Sequence, residues 1–191
     1  MKRILGILIS FSVVMVTGCG SWGGFGSNSS AQKADIPVYV PNEKARLVRF
    51  SGSEPEGFNG INWETKLSTV AGMKHYRTDQ SAGGIEFYLK KGDGFPLGNG
   101  KPAPVQYGFW REKFYVGMVT TGGLTDWNSL KETVFSKFGV GAKPFSNKEE
   151  YLWVGKVAVM ALRYDENSKM GTFYIRSESM EKQMESIVTM R

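Results

Sequence analysis

Alternating apolar and polar positions predict β-strands in the middle of the chain. Residues 85–89, 105–110 and 113–121 show this two-residue period, which is typical of strands with one buried face. Only Arg111 and Glu112 separate the last two segments. We therefore expect these two segments to form a β-hairpin whose turn is centred on Arg111 and Glu112.

A second hairpin is predicted nearer the C-terminus. Residues 151–164 have the pattern of one long strand, and residues 171–177 have the pattern of its antiparallel partner. Oxygen-bearing side chains follow Asp165 at alternate positions, but Lys169 occupies a ligand position and no glutamate closes a calcium loop. We therefore interpret the segment between the strands as a turn and predict no metal site.

Apolar residues at intervals of three and four predict three helices. We expect a short helix from Asn62 to about Gly72, a longer one over residues 125–138, and a third at the C-terminus. In the longer helix Thr125 is the expected N-cap, and Gly139 is where it should stop. The apolar stripes are Leu67, Val70 and Met73 in the first helix, Trp127, Leu130, Val134 and Phe138 in the second, and Met180, Met184, Ile187 and Val188 in the third.

These elements favour an α+β domain. Strands that follow one another as hairpins are expected to form a mainly antiparallel sheet of hairpins, with two or three helices packed to one side. We place this single domain at residues 45–191, with a first strand at residues 45–50. An earlier extended segment, residues 36–40, is bracketed by Pro37 and Pro41 and is at best an edge strand.

The composition supports a folded domain without a nucleic-acid partner. The chain has 191 residues, of which 41% are hydrophobic and 22% charged, so it has enough apolar material for a core. The formal net charge of +6 comes from basic residues that are scattered along the chain. Because no nucleic-acid motif and no basic and aromatic patch accompanies them, no nucleic-acid partner is predicted.

The first 19 residues resemble the signal sequence of bacterial lipoproteins. Lys2 and Arg3 precede an apolar run at residues 4–16, which has the length of a signal-peptide core and is too short to span a bilayer comfortably. The run ends in Val16-Thr17-Gly18-Cys19, which resembles the lipobox of that family. Cys19 is also the single cysteine of the chain, and it stands where cleavage is expected.

This resemblance implies a protein that is attached to a membrane by lipid. Residues 1–18 would be the signal peptide that is removed, and Cys19 would carry a diacylglycerol on its thiol. Residues 19–44 would comprise the lipidated cysteine and a flexible Gly/Ser-rich tether. Gly20 replaces the aspartate that retains such proteins in the inner membrane, which implies the periplasmic face of the outer membrane.

Side-chain chemistry gives little indication of catalysis. His75 is the single histidine and Cys19 is assigned to lipid, which excludes Cys/His zinc sites and Cys/His nucleophilic pairs. We predict no cofactor and assign no catalytic residue. Two carboxylate pairs, at residues 54/56 and 149/150, are expected to be solvated charges; the alternative is acid/base work across a cleft.

Two apolar side chains in a glycine-rich loop are candidates for partner contact. Residues 92–100 lack the spacing of a phosphate-binding loop but carry Phe95 and Leu97 among Gly, Pro and Asn. The loop either folds back to cap the core or presents these side chains to another molecule. We predict Phe95 and Leu97 as partner-contact residues.

The globular part resembles small bacterial envelope domains of unassigned function. The resemblance rests on the run at residues 58–65, a following helix, and Phe138-Gly139 ahead of a strand that contains Trp153. At fold level it extends to small helix-plus-sheet lipoproteins of outer-membrane assembly machinery. We predict a non-enzymatic binding or assembly-accessory module for another envelope component, foremost a protein. The alternatives are a hydrolase with a carboxylate or His75 site, favoured by a deep carboxylate-lined pocket, and a carrier of a small apolar ligand, favoured by a closed apolar cavity.

Overall fold

The computed structural model describes residues 53–80, 84–98 and 100–189, with side chains up to Ile187. The sequence predictions that lie outside the described residues are the signal peptide at 1–18 with Cys19, the tether at 19–44, and the extended segments at 36–40 and 45–50. Within the described residues, no helix has the length and apolar character needed to cross a membrane.

A seven-stranded antiparallel sheet forms the centre of the fold, which confirms the predicted α+β class. The strands of the described residues are β1 (Gly57–Phe58), β2 (Ile61–Asn62), β3 (Met73–Asp79), β4 (Ile85–Lys90), β5 (Phe95–Pro96), β6 (Pro102–Ala103), β7 (Val105–Trp110), β8 (Lys113–Gly122), β9 (Glu150–Val154), β10 (Ala158–Asp165) and β11 (Met170–Ser177). The helices are α1 (Gly123–Phe138) and α2 (Glu178–Thr189). The central sheet has the order β3-β4-β7-β8-β11-β10-β9, and β1-β2 and β5-β6 are separate two-stranded pairs.

Both predicted hairpins are present. In the β7–β8 turn, Arg111 and Glu112 have φ values of 49° and 61°, as a two-residue type I′ turn requires. The β10–β11 turn is closed by Asp165, whose Oδ1 accepts hydrogen bonds from the backbone N–H groups of Asn167 and Ser168, both 2.8 Å away. The oxygen-bearing side chain of Asp165 therefore stabilises a turn, as the sequence indicated.

One face of the sheet, called here the α1 face, carries the main core. Trp127, Leu130 and Val134 of α1 are at most 1% exposed, and α1 packs on β8 and β11. Gly171 in β11 makes this approach possible, because a Cβ at that position would lie 2.7 Å from the Trp127 ring. The helix ends at Phe138, and Gly139 follows it at φ 76°; this helix and its end are confirmed.

The other face, called here the α2 face, carries the C-terminal helix. Arg176 alternates with Ile175 along β11, so its side chain points away from the main core. Glu181 of α2 pairs with Arg176 on this side, and Met180 and Met184 are buried beside it. The two helices thus pack on opposite faces of the sheet, whereas the sequence pattern suggested one side.

The small strand pairs complete the core on the α1 face. The ring of Phe58 in β1 lies 5.7 Å from that of Phe95 in β5, and both rings lie 6.0 Å from Phe173. Gly117 in β8 is required here, since a Cβ at that position would lie 2.2 Å from the Phe58 ring. The β1-β2 pair is therefore fixed against the central sheet by direct aromatic packing.

The predicted helix from Asn62 to Gly72 is wrong. Its only helical part is a single 3-10 turn at Leu67–Thr69, and a strand begins at Met73. Glu64 has φ 62°, a left-handed value that a right-handed helix cannot contain. Local apolar spacing is overridden here by hydrogen bonds to β8, described below.

Two smaller predictions are also corrected. Residues 151–164 do not form one strand, because Gly155 donates its N–H to the carbonyl of Ala158 and separates β9 from β10. The helix α1 begins two residues before Thr125, and its N-cap is Gly122, which has no side chain to cap it.

Candidate functional site

An open groove of about 380 Å³ lies on the domain surface near the start of β3. Its walls are residues 60–62 of the β1-β2 pair, Thr65, residues 69–71, and Lys90 at the end of β4. We call it the Lys90 groove. It brings together three stretches of chain that are separated in sequence.

Backbone hydrogen bonds to the start of β8 hold one wall of the Lys90 groove. Glu64 donates its N–H to the carbonyl of Phe114, 2.9 Å away, and Phe114 donates in return to the carbonyl of Thr65 at the same distance. Leu67 donates its N–H to the carbonyl of Glu112 at 2.8 Å. These bonds make residues 64–67 a short extension of the sheet, so this wall is fastened to the central sheet.

A cluster of hydrogen-bonded side chains lies next to the Lys90 groove. The Tyr107 hydroxyl donates to Asp93 Oδ2, and Asn59 Nδ2 donates to Tyr107 Oη at 2.8 Å and to Asp93 Oδ1 at 2.9 Å. The backbone N–H of Gly94 also donates to Asp93 Oδ1. Burial raises the pKa of Tyr107, and its hydrogen bond to Asp93 adds to this effect, so the phenol remains protonated. We call this group the Asp93 cluster.

Lys90 carries the positive charge of the groove. Its side chain is 35% exposed, and Nζ lies 4.0 Å from Asp93 Oδ2, which is beyond hydrogen-bond distance. Asp93 already accepts hydrogen bonds from Tyr107, Asn59 and Gly94. The ammonium of Lys90 is therefore loosely paired and can donate hydrogen bonds to a molecule in the groove.

Thr69 and the two residues after it offer an acceptor and apolar surface. The Thr69 hydroxyl donates to the carbonyl of Lys66 at 2.7 Å, which leaves the hydroxyl oxygen as an acceptor. Val70 and Ala71 follow with apolar side chains. The Lys90 groove thus combines a cationic donor, a neutral acceptor and a small apolar surface, and no carboxylate is among its lining residues.

The structure corrects the predicted partner-contact residues. Phe95 and Leu97 are 2% and 7% exposed, and both belong to the core on the α1 face. The β5-β6 pair, in which Phe95 lies opposite Ala103, turns the loop back onto the sheet. Of the two interpretations of this loop, burial supports the one in which it caps the core, and neither side chain is available to a partner in this fold.

His75 lies on the exposed strand β3, where it contacts Thr78 and Tyr88. Its Nε2 is 3.1 Å from the Thr78 hydroxyl, and its ring meets the Tyr88 ring edge-on at 5.4 Å. Tyr88 in turn donates to Glu86 at 2.8 Å; burial, followed by this hydrogen bond, raises the pKa of Tyr88 to about 12. Among the described residues, the ring nitrogen of His75 therefore meets a hydroxyl group and not a carboxylate.

Glu149 and Glu54, one from each carboxylate pair, have structural partners. Glu149 accepts hydrogen bonds from Lys143, Lys131 and Tyr151, and the bond from Lys143 is the largest of the effects that lower the pKa of Glu149. Glu54 accepts from the backbone N–H of Val157; its slight burial acts to raise its pKa, but backbone hydrogen bonds outweigh this and lower it. Each carboxylate therefore fastens a loop to the domain.

Sequence reasoning did not find the Lys90 groove. One signal was available, because Asn59 and Gly60 stand between the apolar residues Phe58 and Ile61, the pattern of a two-residue hairpin turn. Both turn residues have positive φ, 50° and 81°, and the turn places the Asn59 side chain on Asp93. The approach of Asn59 and Asp93 to Lys90 depends on tertiary contacts, and no local sequence pattern indicates it.

No group of three or more His, Cys, Asp or Glu side chains that could hold a metal ion occurs within residues 53–80, 84–98 and 100–189. Comparisons of the chain with protein-family models, with curated proteins and with solved structures gave no match.

Proposed function

We propose that the protein is a lipid-anchored envelope lipoprotein whose α+β domain is a non-enzymatic binding module for another envelope protein. The N-terminal sequence supports the anchor through the lipobox-like Val16-Thr17-Gly18-Cys19. The presence of Gly20 supports the periplasmic face of the outer membrane as its location. The observation that carries the binding role is the open Lys90 groove, which offers hydrogen-bonding and apolar groups and has one wall hydrogen-bonded to the central sheet.

The two alternative functions fit this groove less well. A hydrolase of the carboxylate type needs two carboxylates that face each other across a cleft. The carboxylate beside Lys90, that of Asp93, is held by three hydrogen bonds and lies beside a protonated Tyr107. A carrier of an apolar ligand needs an enclosed apolar cavity, whereas the Lys90 groove is open and has polar walls.

The anchor is tested by replacing Cys19 with serine in the full chain. We expect Cys19→Ser to abolish palmitate labelling and to leave an uncleaved precursor, because the thiol is the expected lipid acceptor. Ser21→Ala is the matched control, since it alters a neighbouring residue outside the lipobox. Labelling of Cys19→Ser at the level of the unaltered chain would contradict the lipoprotein assignment.

The binding role is tested by photo-crosslinking from the Lys90 groove in intact cells. A photoreactive residue at the exposed position Ala71 should form a crosslink to a defined envelope protein. The same residue in place of Lys182, whose side chain is 67% exposed on α2, is the control for general surface contact. Crosslinks of equal yield from both positions, or none from Ala71, would contradict a binding module that uses this groove.

A further inference from the structure

We infer that the Lys90 groove recognises an acidic, extended segment of the partner protein, with a carboxylate of that segment on the ammonium of Lys90. This inference rests on the proposed binding function and specifies its chemistry. Lys90 is weakly paired, because its Nζ lies 4.0 Å from the carboxylate of Asp93. That carboxylate already accepts hydrogen bonds from three other donors. A ligand carboxylate at hydrogen-bond distance would be a better partner than Asp93 is.

The local charge favours a carboxylate over a phosphate group. One ammonium lines the groove, and the Asp93 charge lies beside it, so a dianion would be poorly compensated. Glu64 directly precedes the lining residue Thr65, and its carboxylate forms an ion pair with Lys113, whose Nζ lies 3.0 Å from Glu64 Oε2.

Thr69 and the two residues after it match a peptide backbone. The Thr69 hydroxyl donates its hydrogen to the carbonyl of Lys66. Its oxygen can therefore accept a hydrogen bond from a backbone N–H of the bound segment. Val70 and Ala71 beside it provide apolar contact for a neighbouring side chain. A peptide has an N–H group and an apolar side chain beside each acidic residue, whereas a free inorganic anion has neither.

Binding of model peptides to the purified, lipidated full chain in detergent micelles tests this chemistry. N-acetyl hexaglutamate should shift the backbone NMR signals of Gly60 and Ala71, and hexaglutamine should bind at least about tenfold more weakly because it lacks the charge. Inorganic phosphate at the same ionic strength is the third probe. Phosphate shifts equal to those of hexaglutamate, or equal binding of the two peptides, would overturn the inference.

The adjacent lysines provide a matched pair of variants. Lys90→Gln should lower hexaglutamate affinity by about tenfold or more, whereas Lys91→Gln, with the same loss of charge outside the groove lining, should change it much less. Equal effects of the two variants would mean general charge attraction and would overturn the inference. Thermal unfolding of both variants, compared with the unaltered chain, separates lost binding from lost folding.

The crosslinking experiment distinguishes failure of this inference from failure of the proposed function. Crosslinks from Ala71 to an envelope protein that persist in Lys90→Gln would overturn the acidic-segment inference and leave the binding function in place. Lys90-dependent peptide binding without any crosslink from Ala71 would support the chemistry of the groove and contradict the proposed function.

Discussion

The hydroxyl of Tyr115 in β8 donates a hydrogen bond to the carboxylate of Glu181 in α2. Arg176 of β11 lies 3.3 Å from the same carboxylate, and Arg176 and Glu181 are 5% and 9% exposed. Burial is the largest of the effects that raise the pKa of Tyr115, so the phenol keeps its proton and remains the donor. One carboxylate thus joins α2 to the neighbouring strands β8 and β11.

Removing that carboxylate should destabilise the domain. We expect Glu181→Ala to lower the free energy of unfolding by about 3–5 kcal/mol, because Arg176 would stay buried without its counter-charge. Lys182→Ala is the control on the same helix; its exposed pair with Glu178 should contribute less than about 1 kcal/mol. Urea unfolding of both variants measures the difference. Similar midpoints would show that α2 does not depend on the buried pair.

Truncation of Trp127 should have a comparable effect on the other face. Trp127 is 1% exposed and stacks on Tyr164 at 5.4 Å, so Trp127→Ala should cost about 3–5 kcal/mol of stability. Leu124→Ala removes an apolar side chain that is 60% exposed at the start of the same helix and should be nearly neutral. A thermal midpoint of Trp127→Ala close to that of Leu124→Ala would refute the role of Trp127 in the core.

The cap formed by the β5-β6 pair can be tested with two phenylalanines. Phe95 is 2% exposed and Phe145 is 43% exposed, so the same change to alanine samples a buried and a surface position. We expect Phe95→Ala to lose about 3–5 kcal/mol and Phe145→Ala to lose much less. Chemical denaturation of the full chain gives both values. A loss for Phe95→Ala as small as that expected for Phe145→Ala would restore Phe95 as a candidate surface contact.

A glycine in the β7–β8 turn should stabilise the protein. Glu112 has φ 61°, a conformation that costs a residue with a Cβ about 1 kcal/mol or more relative to glycine. Glu112→Gly should therefore raise the thermal midpoint, while its carbonyl still accepts the hydrogen bond from Leu67. Glu112→Ala is the control, since it removes the carboxylate but keeps the Cβ. If both variants had the same midpoint, relief of backbone strain would not be the cause.

Elements with complete local patterns could be predicted from the sequence. The helix α1 combines Trp127, Leu130 and Val134 on one side with Gly139 at its end, and the structure buries these three side chains. The β7–β8 hairpin likewise has its two strands separated by two residues only. In both cases the local pattern and the tertiary packing favour the same structure.

The predicted helix after Asn62 failed because tertiary hydrogen bonds override its local pattern. Leu67, Val70 and Met73 have helical spacing, yet in the structure they are only partly buried against the core. Leu67 instead donates its N–H to Glu112 in a turn that lies far away in the sequence. The spacing of apolar residues indicates which side chains can share a buried face. It does not indicate which distant carbonyl group will accept a hydrogen bond from a given backbone N–H.

The candidate site could not be predicted for a related reason. Lys90 ends one strand, Thr69 lies in a 3-10 turn, and Asn59 lies in a hairpin turn, and each is an ordinary residue in its local sequence. Their chemistry becomes distinctive only when the sheet brings them to the same edge. For Phe95 and Leu97 the local sequence was misleading. The composition of their loop suggested exposed side chains, whereas the fold buries both.

The strand β3 stands at one end of the described sheet, and its form limits how molecules of this protein can associate. A bulge interrupts its pairing between His75 and Arg77, and Lys74 is exposed on it. Irregular, charged edges are poor templates for the strand of another molecule. Edge-to-edge growth into fibrils should accordingly be suppressed at this end of the sheet.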